Sequence, residues 1–279
     1  MIWVIIACIV PDLPWIVLKV LLALHFFNPY NLRLYCTAQA SLLFCLFFSA
    51  GLACFTGQSR RIFIVLASNC LLHLVLDTIE TKWGNGVNII APFSWTLLHK
   101  GVFWPEHPLI LAFTVIGFLS VLRNWQGCIS SSIPLQSDGR IKPFVGILFL
   151  CLYMLGPIFF LNQLERANTY NIHTLRMKDQ RPGKPIEFDR VHYFAKQHIL
   201  ETFAGEQLTV IGSQPAKSGR VSFSGHFLTP TSFTSSKYHY HLDQRDLASL
   251  LGLFMACTLL LQSLILPRFQ QNKKNQGPP

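Results

Sequence analysis

The sequence predicts an all-α polytopic membrane core of about five to six transmembrane helices, carrying a small β-rich extracytoplasmic insertion. Three observations predict it. The 279 residues are 51% hydrophobic and only 13% charged, about half the charge of an ordinary soluble domain. Apolar stretches long enough to cross a bilayer recur along the chain. A polar block of different character, residues 165–245, interrupts them before the last one.

The first element is Met1 to Val10, wholly apolar and about 15 Å long as a helix, half of a bilayer. Pro11-Asp12-Leu13-Pro14 then breaks it, and Trp15 to Phe27 resumes an apolar pattern. Two arrangements satisfy this: one broken span, or a helix ending at Asp12 followed by one at the membrane interface. No basic stretch or small-residue cleavage site follows Met1, which argues against a removed signal. A start upstream of Met1 would also account for the short first helix. Leu34–Phe55, Ile62–Ile79, Pro108–Leu122, Phe144–Leu164 and Leu247–Leu266 are the further spans. Residues 1–164 thus form the core, 165–245 the polar domain, and 246–279 a last span with a cytoplasmic tail.

Orientation follows from basic residues in short loops. Arg60, Arg61, Arg123, Arg140, Lys142, Arg268, Lys273 and Lys274 fall on one side, and Arg33, Lys82 and Lys100 on the other. The first side is therefore cytoplasmic, and the polar domain faces outward. Within that domain Pro185–Arg190, Gln207–Ile211, Arg220–Ser224 and Lys237–Leu242 are β-prone runs between Gly, Pro and Ser clusters. Val191 to Phe203 reads as a short helix between the first two.

The net charge of +10 is spread through loops without interleaved aromatics. That excludes a nucleic-acid partner and leaves the lipid bilayer as the expected one. The eight cysteines form no CxxC pair and read as small buried hydrophobes, neither a disulfide framework nor a zinc site.

Chemistry concentrates at His73-Leu74-Val75-Leu76-Asp77. Residues i and i+4 share a helix face, so imidazole and carboxylate can serve one metal. Ionisable groups near a membrane-helix end need a partner, a metal or water. Glu80, one turn on, can act as a ligand or as general base, and Asp12 at its Pro-Asp turn can reach the same membrane face. The alternatives are a structural hydrogen-bonded His73–Asp77 pair and a helix-capping Asp12. The loop that follows, with Gly84, Gly86 and Pro92-Phe93-Ser94, can fold back over the site. No Gly-x-Ser-x-Gly elbow surrounds Ser94, so it reads as a loop-capping residue rather than a nucleophile. Trp83, Trp95, Phe103 and Trp104 read as an interfacial aromatic belt. His239 and His241 alternate on one strand face, a spacing open to metal, although solvated surface histidines are its commoner meaning.

In these elements and their order the sequence resembles the YdjM/YfhP-like inner-membrane proteins of bacteria, a family of metal-dependent hydrolases. The shared elements are Asp12 after a first apolar helix, His73-x-x-x-Asp77, a Gly at 84 or 86, and Pro92-Phe93-Ser94, all within roughly residues 1–100. The family's His-Arg-Gly-x-Thr-His motif is missing between Asp12 and His73, where only His25 stands, so the chain would be a divergent member. The resemblance implies a bacterial inner-membrane hydrolase. It would use a divalent metal, zinc or manganese, held by Asp12, His73 and Asp77. A site at the outer membrane edge points to a lipid-linked or phosphate-bearing substrate. The rival expectation is a non-enzymatic scaffold or envelope-assembly protein with a structural His–Asp pair.

Overall fold

In the computed structural model, which describes residues 2–129, 139 and 141–275 with side chains to residue 263, apolar helices pack side by side and a barrel stands on one end of them. The helices are α1 (Ile2–Ile9), α2 (Leu13–Ala23), α3 (Pro29–Gln39), α4 (Leu42–Cys54), α5 (Ser59–Ile79), α6 (Pro108–Arg123), α7 (Trp125–Ile129) and α8 (Ile141–Leu155). The short α9 (Leu161–Ala167) and α10 (Ile172–Arg176) lead into the barrel, and α11 (Gln244–Asn275) leaves it. Arg140 lies outside the described residues, as do the side chains of Arg268, Lys273 and Lys274.

Three helices are long and apolar enough to cross a membrane: Ser59–Ile79, Ile141–Ala167 with a 3-10 turn inside it, and Gln244–Ser263. The number rises to five if each of two bent pairs counts as one span. One pair, α1 and α2, is bent by 52° at the Pro11-Asp12 turn. The other divides the stretch expected to run unbroken from Leu34 to Phe55: α3 and α4 meet at 65°. There Ser41 adopts an extended conformation, and Leu42 N donates to Asn88 O at 3.3 Å, so a loop takes over a bond that a continuous helix would make internally. The sixteen residues of α6 include none that is buried. Among the described residues its apolar side chains stay largely uncovered, which is consistent with an apolar surrounding.

Packing sets the directions. Ile2 and Trp3 meet Ile62 and Leu66, while Val10 meets Cys70 and Leu74, so α1 runs alongside α5 in the same sense. Their last residues arrive at the same end, beneath the barrel. Helix α4 runs back against both. It crosses α8 where a Cβ on Gly51 would lie 2.8 Å from Leu150 and one on Gly146 would lie 3.0 Å from Cys54 Cβ, the close small-residue approach of membrane helices. All eight cysteines are free; Cys36, Cys45, Cys70 and Cys128 are buried, whereas Cys8, Cys151 and Cys257 are exposed.

The polar domain is a closed barrel of β1 (Pro185–Phe194), β2 (Ile199–Glu201), β3 (Gln207–Gly212), β4 (Gly219–Thr229) and β5 (Ser232–Tyr240) in the order β1-β2-β3-β5-β4. The β3–β5 pair is parallel and the others antiparallel, the strand order of an OB-type barrel. Closure leaves no free sheet edge. The segment expected as a helix, Val191 to Phe203, is instead the end of β1, a turn at 195–198 and β2. Tyr193 and Leu200 face each other across that pair and are both fully buried, a two-residue alternation that a helix cannot serve. Inward residues Ile186, Phe188, Leu208, Val210, Val221, Phe223, Phe227 and Phe233 complete the core.

Arg181 closes the barrel's mouth. Its guanidinium is fully buried and forks onto Glu206 at 2.8 and 2.7 Å. It also donates to the carbonyls of Pro230 (2.6 Å), Thr174 (3.4 Å) and Leu175. Burial pushes the Glu206 carboxyl up, but Arg181, with Lys178 at 3.3 Å, outweighs it and holds the group below its ordinary value. A carboxylate depressed in the folded state stabilises fully above its unfolded value near pH 4.3 and ceases to do so as pH falls through the folded one. Denaturant unfolding followed between pH 7 and 3 is thus expected to show acid destabilisation below about pH 4.5. In Glu206→Gln that acid-dependent component should be reduced. Equal acid slopes in the two proteins would contradict the assignment.

Candidate metal centre

Between the helix ends and the barrel lies a layer of charged side chains. Its first half belongs to α5. His73 Nε2 is 3.7 Å from Asp12 Oδ2 and 3.9 Å from Asp77 Oδ2, so the helix face and the Pro-Asp turn bring each carboxylate to His73, although the three ligand atoms do not all lie within 4.8 Å of one another. Asp12 precedes α2 but makes no capping bond with its side chain. Lys82 has its Nζ 2.9 Å from Asp77 and 3.4 Å from Glu80, and Arg245 Nη2 is also 3.4 Å from Glu80. Burial alone would push Lys82 down, but the two carboxylates more than compensate and hold it above its ordinary value. Asp77 and Glu80 are therefore each tied to a cation.

The loop after Glu80 is fastened elsewhere. Gly84 N donates to Glu187 Oε2 of β1 at 2.8 Å. Its φ is +66°, and a Cβ there would stand 2.3 Å from Glu187 O, so glycine is required to seat the loop on the barrel. Gly86 packs against Leu97 and Leu98, and its neighbour Val87 pairs with Leu98 in a short bridge. Pro92 is exposed, and the Ser94 hydroxyl turns to Thr96 at 3.2 Å. Gly84 and Gly86 thus position the loop.

The second half is built around Glu106, in the turn before α6, and His239 and His241, at the end of β5. Among the described residues this is the group of three His, Cys, Asp or Glu whose ligand atoms all lie within 4.8 Å of one another. It can hold a metal ion. His241 Nδ1 is 2.7 Å from Glu106 Oε1, and His239 Nε2 is 3.4 Å from Glu106 Oε2. The latter two atoms are buried yet make no hydrogen bond, an arrangement that costs about 1–3 kcal/mol per group unless something else satisfies it. Two ligands on a tetrahedral ion with bonds of ~2.0–2.1 Å stand about 3.3–3.4 Å apart. The His239–Glu106 separation fits two ligands sharing an ion, whereas the 2.7 Å between His241 Nδ1 and Glu106 Oε1 is that of a hydrogen bond.

The surroundings fix these donors. His241, almost wholly buried, pairs its other ring nitrogen with Ser222 Oγ at 2.7 Å. Ser222 Oγ in turn donates to Asp189 Oδ1 at 3.4 Å and accepts from Arg190 N at 3.1 Å. Outer partners of this kind orient an imidazole, and His241 Nδ1 hydrogen-bonds Glu106 Oε1 at 2.7 Å. Trp104 stacks on His239 with ring centres 3.8 Å apart and planes 3° from parallel, and Trp83 meets Trp104 edge-on. Burial raises the Glu106 carboxyl, but the two imidazoles outweigh it and hold the group well below the usual carboxylate range.

A bulge in β1 delivers the remaining group. Between Phe188 and Val191 the pairing with β4 skips a residue, and Arg190 takes a φ of +52°, a conformation costing roughly 1–3 kcal/mol in a residue with a side chain. The bulge aims its guanidinium inward: Nη2 binds Asp246 Oδ1 at 2.7 Å, and Nη1 lies 3.6 Å from Glu106 Oε1, buried and without a hydrogen bond. Strand bulges commonly re-aim side chains at sites.

The Tyr-His-Tyr-His alternation flagged two of these donors, and the surface reading offered for them does not hold for His241, which is buried. Glu106 carried no local signal. Trp104, assigned to an interfacial belt, packs on His239, and Trp95 is buried against Phe160. No family model, no curated protein and no solved structure matches this chain.

Proposed function

We propose that this chain is a multi-pass membrane metalloprotein that hydrolyses its substrate at the outer face of the bacterial inner membrane, with Glu106, His239 and His241 as metal ligands. The observation that carries this reading is the buried, unbonded pair of Glu106 Oε2 and His239 Nε2, 3.4 Å apart, within a trio completed by His241. Two imidazoles and one glutamate are a donor set of catalytic zinc, which leaves a coordination position open. Helices α5, α8 and α11, with the bent pairs α1–α2 and α3–α4 and the apolar α6, would lie in the membrane with the barrel outside. That placement is supported by Arg60, Arg61 and Lys142, which lie at the opposite end.

Glu106, His239 and His241 would hold a divalent ion that would supply Lewis acidity to the scissile bond. The chain's own groups do the rest. Ser222 and Asp189 hold His241 in one ring orientation. Trp104 covers the His239 ring and keeps water from that side. Arg190 Nη1, lacking a hydrogen bond in the site, would receive an anionic oxygen, which favours a phosphate-bearing substrate, lipid-linked given the depth of the layer.

A second reading retains the ligands implied by the YdjM/YfhP resemblance, Asp12, His73 and Asp77, with Glu80 as base. The approach of His73 Nε2 to both carboxylates favours it. The contact of Lys82 with Asp77 favours instead a structural pair in a non-enzymatic scaffold, since an ammonium occupies a position that a cation would need.

The test is turnover. Detergent-purified protein stripped with chelator and reloaded with zinc or manganese is expected to hydrolyse a long-chain phosphate ester only when loaded. His239→Gln should lose about a hundred-fold or more. Turnover unaffected by stripping, or by the substitution, would contradict the proposal.

A further inference from the structure

At the end of the bundle away from the barrel, a cavity of about 740 Å³ opens beside the first turns of α5. Arg60, Arg61 and Lys142 line it together with Ser59, Ile64 and Val65. We infer that this groove binds the head group of an acidic phospholipid.

The electrostatics come from the sequence. From Leu13 to Leu76 the chain has no Asp or Glu, so the α4–α5 turn brings Arg60 and Arg61 together with no acidic neighbour on either helix. Both are exposed, and neither has an ion-pair partner among the described residues. The first N–H groups of α5 open into the same space, and its capping position, Gln58, makes no side-chain bond to them. An anion is thus attracted by the arginine side chains and by the unsatisfied start of a 21-residue helix.

The apolar wall identifies the anion as a lipid rather than a free phosphate. Ile64 is half exposed, and the exposed stripe continues along α5 through Leu71, Leu72, Val75 and Leu76. A phosphodiester among the arginines would place its acyl chains along that stripe, whereas inorganic phosphate would leave it uncovered. Basic grooves between membrane helices on the cytoplasmic side are suited to such head groups. This inference rests on the membrane reading of the helices and is independent of the metal centre.

Native mass spectrometry of the full chain in detergent, titrated with phosphatidylglycerol or phosphatidylcholine, tests it. The acidic lipid is expected to bind at least about ten-fold more tightly. Arg60→Gln with Arg61→Gln should weaken it by about thirty-fold, with phosphatidylcholine binding and thermal unfolding unchanged. Equal binding of the two lipids, an unaltered double variant, or full displacement by millimolar inorganic phosphate would overturn the assignment. Flotation with phosphatidylcholine vesicles separates the two ideas. A chain that does not float contradicts the membrane reading itself, whereas one that floats without acidic-lipid preference contradicts only the groove.

Discussion

Arg181→Met is expected to unfold the barrel, or to leave it open to proteolysis between residues 165 and 245 under conditions where the native chain resists. The guanidinium is fully buried and joins three segments distant in sequence: the end of α10 through Thr174 and Leu175, the β2–β3 turn through Glu206, and the β4–β5 turn through Pro230. Methionine fills much of the volume but leaves the carbonyls of Thr174, Leu175 and Pro230 without this donor and Glu206 with Lys178, at 3.3 Å, as its remaining cation. Removing one partner of a buried pair costs about 3–5 kcal/mol, a large part of the roughly 5–15 kcal/mol that holds a small domain together. Limited proteolysis and denaturant titration in detergent measure this. Replacing Glu206 by leucine in the same chain should restore part of the loss, because an apolar pair keeps no half-buried carboxylate with Lys178 as its one cation. A single variant as stable as the native chain would remove Arg181 from its structural role.

Metal loading is expected to have an effect of similar size. An ion that binds the folded chain and not the unfolded one stabilises it by about 2.7 kcal/mol when present at a hundred times its dissociation constant. Here it would also satisfy Glu106 Oε2 and His239 Nε2, which have no hydrogen bond. Thermal unfolding of the stripped chain should shift upward by several degrees with zinc and not with calcium, since two imidazoles suit the former. His239→Gln should abolish the zinc response. A zinc response that survives this substitution, or none in the native chain, would count against the centre. Because Ser222 orients His241 at 2.7 Å, Ser222→Ala should weaken the response without abolishing it.

Much of this was legible along the chain because it depends on local spacing. His73 and Asp77 are one helical turn apart, and their approach to Asp12 required only that α1 end where α5 ends. The long apolar helices were readable from their apolar length, and four strands from their β-prone runs. The rest depends on partners far away. Glu106 is separated from His241 by 135 positions and meets it only because the barrel closes over the turn before α6. Arg181, in an Asp-Gln-Arg-Pro-Gly stretch, resembles a solvated loop charge until a helix end and two turns converge on it. The α3–α4 break stems from Asn88, in a loop more than forty residues on, accepting from Leu42. The strand ending β1 looked helical because its alternation covers too few residues to register beside a turn.

The most direct measurement is the metal content of the detergent-purified chain by elemental mass spectrometry. The native protein would be compared with two variants, His239→Gln plus His241→Gln, and His73→Ala plus Asp77→Ala. The account predicts about one zinc or manganese per chain in the native protein and in the second variant, and none in the first. Metal kept by the first variant and lost from the second would move the centre to α5, and a native chain without metal would contradict it altogether.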